Sequence, residues 1–339
     1  MTQYKIFYAI AALCLTTTHV YANCVESSPP WAKDFDQVYK HDEFLIYYTN
    51  TPSSPHYVLQ RDLNHNQIPD YVEDVARQAI ASRDVFSLAG FKHPLQSERY
   101  KNQAQAISIF IKNMKGNGIA YEVVSKYSNL KTKSVMPCSL SIHISNHLTD
   151  FPGNYWTTVS HEFFHLYQYG YSQFKQSWYL ESLANWAERG LRVDVNSQTK
   201  KLAHLPQNVT DLEQQIFQQS YHQLWRRYFY LNPNDVLKIP NRLYLQKYVN
   251  GQTIFKDQFW YGTSFVKGFL NTLEQRSNTI SDAKQWPRYQ WQESAQKDPH
   301  FNCVILQAYQ QQLQKQQHSV QESTFLTQLN LNSQTKLCS

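Results

Sequence analysis

Apolar and polar positions follow two different rhythms in the two halves of the chain. "DEFLIYYTN", residues 42–50, is rich in β-branched and aromatic residues and runs into Pro52-Ser53-Ser54-Pro55, which predicts a strand entering a loop. "AISIFI", 106–111, and "SLSIHIS", 139–145, carry the period of two expected of strands; in the second, Leu140, Ile142 and Ile144 face one way and Ser141, His143 and Ser145 the other. Between them "GNGIAYEVV", 116–124, opens on turn residues and predicts a shorter strand. Val72, Val75, Ala76 and Ala79 instead recur at the spacing of one helical face, which predicts a helix over 70–89 that closes at Gly90. From Tyr155 onward aromatic-rich helical segments with polar faces dominate, interrupted at "LNPND", 231–235, and at Pro287. The Gln-rich stretch 307–317 keeps Ile305, Tyr309 and Leu313 at helical spacing and reads as a solvated surface helix. The pattern predicts an α+β fold: a small twisted mixed sheet with its helix over 23–170, then a mainly helical part over 171–339.

The composition supports a folded core and narrows the function. The chain has 339 residues, of which 42% are hydrophobic and 15% aromatic, enough to bury a full core. A net charge of +6 with scattered basic residues leaves no nucleic-acid footprint. Lys5, the apolar run from Ile6 to Leu15 and Val20-Tyr21-Ala22 read as a signal peptide over 1–22, with the mature chain beginning near Asn23. The expectation is an exported protein, periplasmic or secreted. A lipid anchor at Cys24 is the rival reading, and Asn23 is a poor residue to precede it. No later stretch is apolar enough to cross a membrane. Beyond Cys14 four cysteines remain, Cys24, Cys138, Cys303 and Cys338, an even number suited to two disulfides. Three pairings are open; proximity along the chain favours Cys303 with Cys338, leaving Cys24 with Cys138. Their spacings fit no cysteine zinc site.

The chemistry concentrates in "TTVSHEFFHLYQYGY", 157–171. On a helix His161 and His165 project from one face and can grip a single ion, with Glu162 beside them. Zinc suits two imidazoles and a carboxylate and keeps a fourth position for water. The third ligand is offered by "SWYLESLANWAERG", 177–190, in which Glu181, Ala184, Asn185 and Glu188 share a helical face and Trp178 and Trp186 pack around it.

At these residues the chain resembles the gluzincin class of zinc metallopeptidases, in which H-E-x-x-H is completed by a glutamate on the next helix. The resemblance implies a zincin-like fold, with His161, His165 and Glu181 as zinc ligands and Glu162 as general base. Many members hold a histidine through an aspartate four residues after the third ligand; that place is Asn185 here, which implies a weaker grip on the imidazole.

Upstream, "DLNHNQIPDYVE" puts Asp62, Asn64, Asn66, Asp70 and Glu73 at loop positions 1, 3, 5, 9 and 12, with the carbonyl of Ile68 at position 7, the ligand spacing of a calcium loop. Gln67 stands where glycine is expected, which forces a side chain into the left-handed turn. The rival reading is an Asn-rich turn capping the next helix. Loops of the form D-x-N-x-N-G-I-P-D-Y ahead of H-E-F-F-H and E-x-x-A-x-W-x-E occur in a family of secreted bacterial metallopeptidases, and the chain resembles it from about Phe44 to Leu270. "FWYGTSFVKGFL", 259–270, matches that family's Y-G-x-x-x-F helix. This implies Tyr261 as oxyanion donor, with core packing as the ordinary alternative.

"GIAYEV", 118–123, stands where zinc peptidases carry the edge strand of the cleft, able to pair with an extended peptide, or else to be covered by a loop. His65, His143 and His147 are assigned structural or solvent-exposed roles; His204 and His222 are second choices as transition-state donors. The functional expectation is a zinc-dependent peptidase acting on a peptide or protein, with zinc catalytic and calcium structural. Its rival is a non-catalytic exported binding or adhesion protein with a decayed site, against which the retention of Glu162 speaks.

Overall fold

The computed structural model describes residues 24–148, 151–152, 157–192, 205–206, 208–220, 224–225 and 234–316. The predicted signal segment, Cys338, His204 and His222 lie outside them.

Six strands form one mixed sheet: β1 (Val25–Ser27), β2 (Gln37–His41), β3 (Phe44–Tyr48), β4 (Ala106–Lys112), β5 (Gly118–Tyr127) and β6 (Ser139–Ser145). Their order is β1-β5-β6-β4-β3-β2. β3, β4 and β6 run parallel at the centre, and β5 returns antiparallel to β6. The predicted short strand at 116–124 is instead the longest in the sheet, ten residues, because β1 pairs with its far end from Ser125 to Tyr127. A disulfide between Cys24 and Cys138 ties β1 down. Cys303, buried in the C-terminal helix, is also disulfide-bonded.

The inner face of the sheet carries Ile107, Ile109 and Ile111 opposite Leu140, Ile142 and Ile144. Against it pack α1 (Asp70–Leu88) and α2 (Thr158–Tyr171). α2 is buried almost all round, as a helix clamped between sheet and further helices must be. The outer face is not solvated either. Phe35, Tyr47, Phe110 and Met136 form a second small core there, and Trp31 packs edge-on against His143. His143 is therefore a buried structural residue, 4% exposed, and burial pushes it down to about 3. Both faces of the central strands are covered, as parallel strands require.

After α2 the chain turns through Ser172–Gln176 into α3 (Ser177–Ala187). Later come a two-stranded antiparallel sheet, β7 (Val236–Lys238) with β8 (Phe259–Tyr261), a long helix Thr263–Lys284 and a C-terminal helix Phe301–Lys315. In the last of these Ile305, Tyr309 and Leu313 are fully buried, so the Gln-rich helix is amphipathic and docked. The predicted boundary at 170/171 falls at the end of α2, and one hydrophobic core continues on both sides of it, from Phe44 to Leu313. Among the described residues no helix is long and apolar enough to cross a membrane.

Candidate metal centre

α2 supplies two imidazoles and α3 a carboxylate, and the turn between them folds α3 back across α2. Trp186 of α3 stacks on Trp260 at 4.6 Å and meets Phe164 of α2, which fixes the crossing from the apolar side. On the opposite face the polar groups meet. His161 Nε2 lies 3.2 Å from Glu181 Oε2, and His165 Nε2 lies 3.7 Å from Glu181 Oε1. One ligand atom from each of the three residues lies within 4.8 Å of the others. His161 and His165 are buried, whereas Glu181 keeps 32% of its side chain open to the cleft.

The electrostatics of this cluster fit a cation. Burial pushes His161 down, but the carboxylates of Glu181 and Glu188 outweigh it and lift His161 to about 10. Burial raises Glu181, and its two histidine partners overcome that and hold it well below the ordinary carboxylate range. His161 and Glu181 are thus matched to share a proton, and with His165 they present two nitrogens and a carboxylate to one point. That donor set, four-coordinate with one place left for water, is the one zinc takes.

Behind each imidazole stands an oxygen, within hydrogen-bond distance for His165 and beyond it for His161. Glu188 Oε1 lies 3.9 Å from His161 Nδ1, and the same carboxylate accepts hydrogen bonds from the Thr157 hydroxyl and from Arg192 Nη1 at 3.0 Å. Gln168 Oε1 sits 2.8 Å from His165 Nδ1, while its Nε2 donates to the Leu180 carbonyl at 3.1 Å. The Gln168 contact favours the His165 tautomer that leaves Nε2 as a ligand atom. Glu188, and not Asn185, is the residue on the Nδ1 side of His161. Asn185 instead accepts from Arg192 Nη1 at 3.4 Å. Gln168 escaped the sequence analysis, although it stands three residues beyond His165 on the same helical face.

Glu162 is 7% exposed and lines the cleft beside the ligands. Burial raises its carboxyl above the ordinary value, against the pull of His165 and His161. β5 passes very close above it. A Cβ on Gly118 would fall 2.7 Å from both Glu162 Cγ and Thr158 Cγ2, closer than atoms approach, so only glycine lets the strand come down onto this carboxylate. In the sequence Gly118 opened the expected edge strand, and nothing there showed this close approach.

The cleft has a volume of about 900 Å³. β5 residues 118–123 form one wall; Glu181, Asn185, Glu188 and Arg192 form another, with Lys175, Glu293 and Lys297 at one end. Tyr261 does not line it. It ends β8 rather than lying in a helix, since Gly262 at φ +85° separates it from the helix beginning at Thr263. Its carbonyl accepts from Trp186 Nε1 at 2.8 Å and its ring lies under Arg189, which hold it to α3 away from the cleft.

The Asp62–Glu73 loop closes on itself. Asp62 accepts from the backbone N–H of Asn66 and Gln67, and Asp70 from that of Leu63. Glu73 accepts from Arg77 and from the side-chain amides of Asn64 and Asn66, while Ile68 donates its N–H to the Asn66 side-chain oxygen. Gln67 takes φ +70°, the left-handed turn expected of it. Among the described residues Asp62, Asp70 and Glu73 are not a group whose ligand atoms lie within 4.8 Å of one another. Compared with known proteins, the chain matches no family model, no curated protein and no solved structure.

Proposed function

We propose that the protein is an exported zinc-dependent peptidase of the gluzincin type, zincin-like in fold, in which His161, His165 and Glu181 hold the metal. The observation that carries this reading is the convergence of those three side chains on the wall of a cleft, with Glu162 beside them under the edge strand. Zinc would supply Lewis acidity, making a water acidic near neutral pH and polarising a carbonyl. Glu162 takes a proton from the attacking water at a carboxylate oxygen and returns it to the leaving nitrogen. Its burial beneath Gly118 keeps solvent from competing for that proton and raises its basicity. Glu188 and Gln168 keep both imidazoles aimed at the same point.

β5 holds the substrate. Among the described residues no strand pairs with Gly118–Val124 on the side away from β6, so a polypeptide can add there through main-chain hydrogen bonds and lie across the metal ligands. The disulfide between Cys24 and Cys138 supports export. Calcium in the Asp62–Glu73 loop is the lesser part of the proposal: the amide N–H groups of Asn64 and Asn66 face Glu73, so binding there requires both amides to turn their oxygens inward.

Metal analysis of the purified protein, with hydrolysis of an unfolded protein by the wild type and Glu162→Gln, tests the reading. Zinc in both and hydrolysis in the wild type alone is the expected result. Zinc in both with hydrolysis in neither leaves the binding protein as the better account. Tyr261→Phe is expected to keep hydrolysis within about twofold of wild type, because removing a true oxyanion donor costs on the order of 100-fold.

A further inference from the structure

β5 shows the cleft two different chemistries on the two faces of its pleat. Gly118 and Ala120 turn toward α2, Gly118 in close approach to Glu162 and Thr158 and Ala120 buried in the core. Ile119 and Tyr121 alternate with them, Val123 follows where the register with β6 shifts, and all three line the cleft, 41%, 38% and 51% exposed. Ile119 pairs with His143 and Tyr121 with Ser141, which puts this stripe over the second core on the outer side of the sheet. The Tyr121 ring rests against the buried His143 ring at 4.7 Å, so the stripe has a firm backing. A single exposed apolar side chain needs no explanation; three at every second position along a strand that has a free edge mark a contact surface. The free stretch is bounded, since β1 takes the edge from Ser125 onward. The other wall carries Glu181, Glu188 and Arg192, and Lys175, Glu293 and Lys297 charge one end of the cleft.

Resting on the peptidase reading above, we propose that the cleft selects an extended segment whose alternate residues are β-branched or aromatic. Those residues pack on Ile119, Tyr121 and Val123, and the intervening polar ones face the charged wall. A strand added to an edge keeps its side chains in phase with the pleat of its host. Selection therefore falls on alternation and not on total hydrophobicity. Stretches of this kind are buried in folded proteins, so the substrate class is unfolded polypeptide. Each cross-strand apolar pair adds roughly twofold to fivefold in affinity, and three together give on the order of tenfold or more.

Two peptides of identical composition decide the matter, one alternating Val, Ile and Tyr with Ser and Lys, the other with the apolar residues grouped together. Binding is read by fluorescence anisotropy on full-length Glu162→Gln protein, so that nothing is consumed, and cleavage on the wild type. The alternating peptide is expected to bind about tenfold tighter, and Ile119→Thr with Tyr121→Ser to erase the preference, with the loss in cleavage falling on KM. Threonine and serine keep a backbone able to stay in the strand, and an unchanged circular dichroism spectrum and melting point check this. Equal binding of the two peptides, or a preference that survives the double substitution, overturns the inference. Cleavage of both peptides with the same KM overturns it and leaves the peptidase standing. A binding preference lost in the double variant, without hydrolysis by the wild type, does the reverse.

Discussion

Two stretches of this chain carry metal-ligand spacing of similar quality, and the fold treats them in opposite ways. In the Asp62–Glu73 loop the carboxylates are met by nearby donors: backbone N–H groups for Asp62 and Asp70, and Arg77 with two amides for Glu73. Between α2 and α3 the carboxylate of Glu181 finds the two imidazoles, and the imidazoles find carboxylate or amide oxygens behind them. A dication entering the loop competes with a guanidinium and several N–H groups for the same oxygens. One entering the helix pair competes with a proton. Spacing decides which atoms can converge; the donors already present decide whether their lone pairs are free to bind.

The sharpest way to break the contrast is Glu162→Gln. The amide fills the same volume beneath Gly118 and cannot take a proton. Hydrolysis of an unfolded protein is expected to fall at least about 100-fold with zinc content unchanged, measured as kcat/KM beside metal analysis. A loss under about threefold would sink Glu162 as the base. The equivalent change in the loop, Glu73→Gln, is expected to leave hydrolysis and zinc content as they are.

A smaller effect tests the acceptors behind the histidines. Glu188→Gln removes the charge facing His161 Nδ1, and Gln168→Ala removes the oxygen facing His165 Nδ1. Each is expected to weaken zinc binding about 10- to 100-fold, read by competition with a chromophoric chelator. If neither variant shifts the competition curve, these groups are only packed beside the site.

How much of this was legible follows from how local each feature is. His161 and His165 were readable because helical geometry alone fixes residues four apart on one face, and Glu181 because a short turn can only bring α3 back over α2. Asn185 and Glu188 were both expected behind the ligands, but nothing in the spacing says which of them reaches His161. Tertiary packing decided that by turning Asn185 toward Arg192. β1 and β2 gave no signal: three residues show no period, and Gln37–His41 forms a strand by pairing with β3 rather than by its own pattern. The alternation in β6 was read correctly, but its polar face is covered by Trp31 and Phe35 from a segment the pattern left unassigned. Tyr261 was placed by resemblance, and the break at Gly262 moved it out of its helix.

The smallest predicted effect lies at Gln67, where the loop pays for its closure. A non-glycine residue at φ +70° costs about 1 kcal/mol, part of which glycine gives back through its freer unfolded chain. Gln67→Gly is therefore expected to raise stability by about 0.5 kcal/mol in calcium-free buffer, seen as a higher denaturation midpoint at constant slope. Calcium then separates the two readings of the loop. If Asn64 and Asn66 can turn their oxygens inward, calcium raises the midpoint of both proteins, and that of Gln67→Gly further, because the left-handed turn at position 6 is then free of strain. If Arg77 and the amides keep Glu73, calcium moves neither midpoint, and the gain from Gln67→Gly stays at its calcium-free value. In that case the loop is a cap for α1, and calcium takes no part in holding the helix that packs against α2.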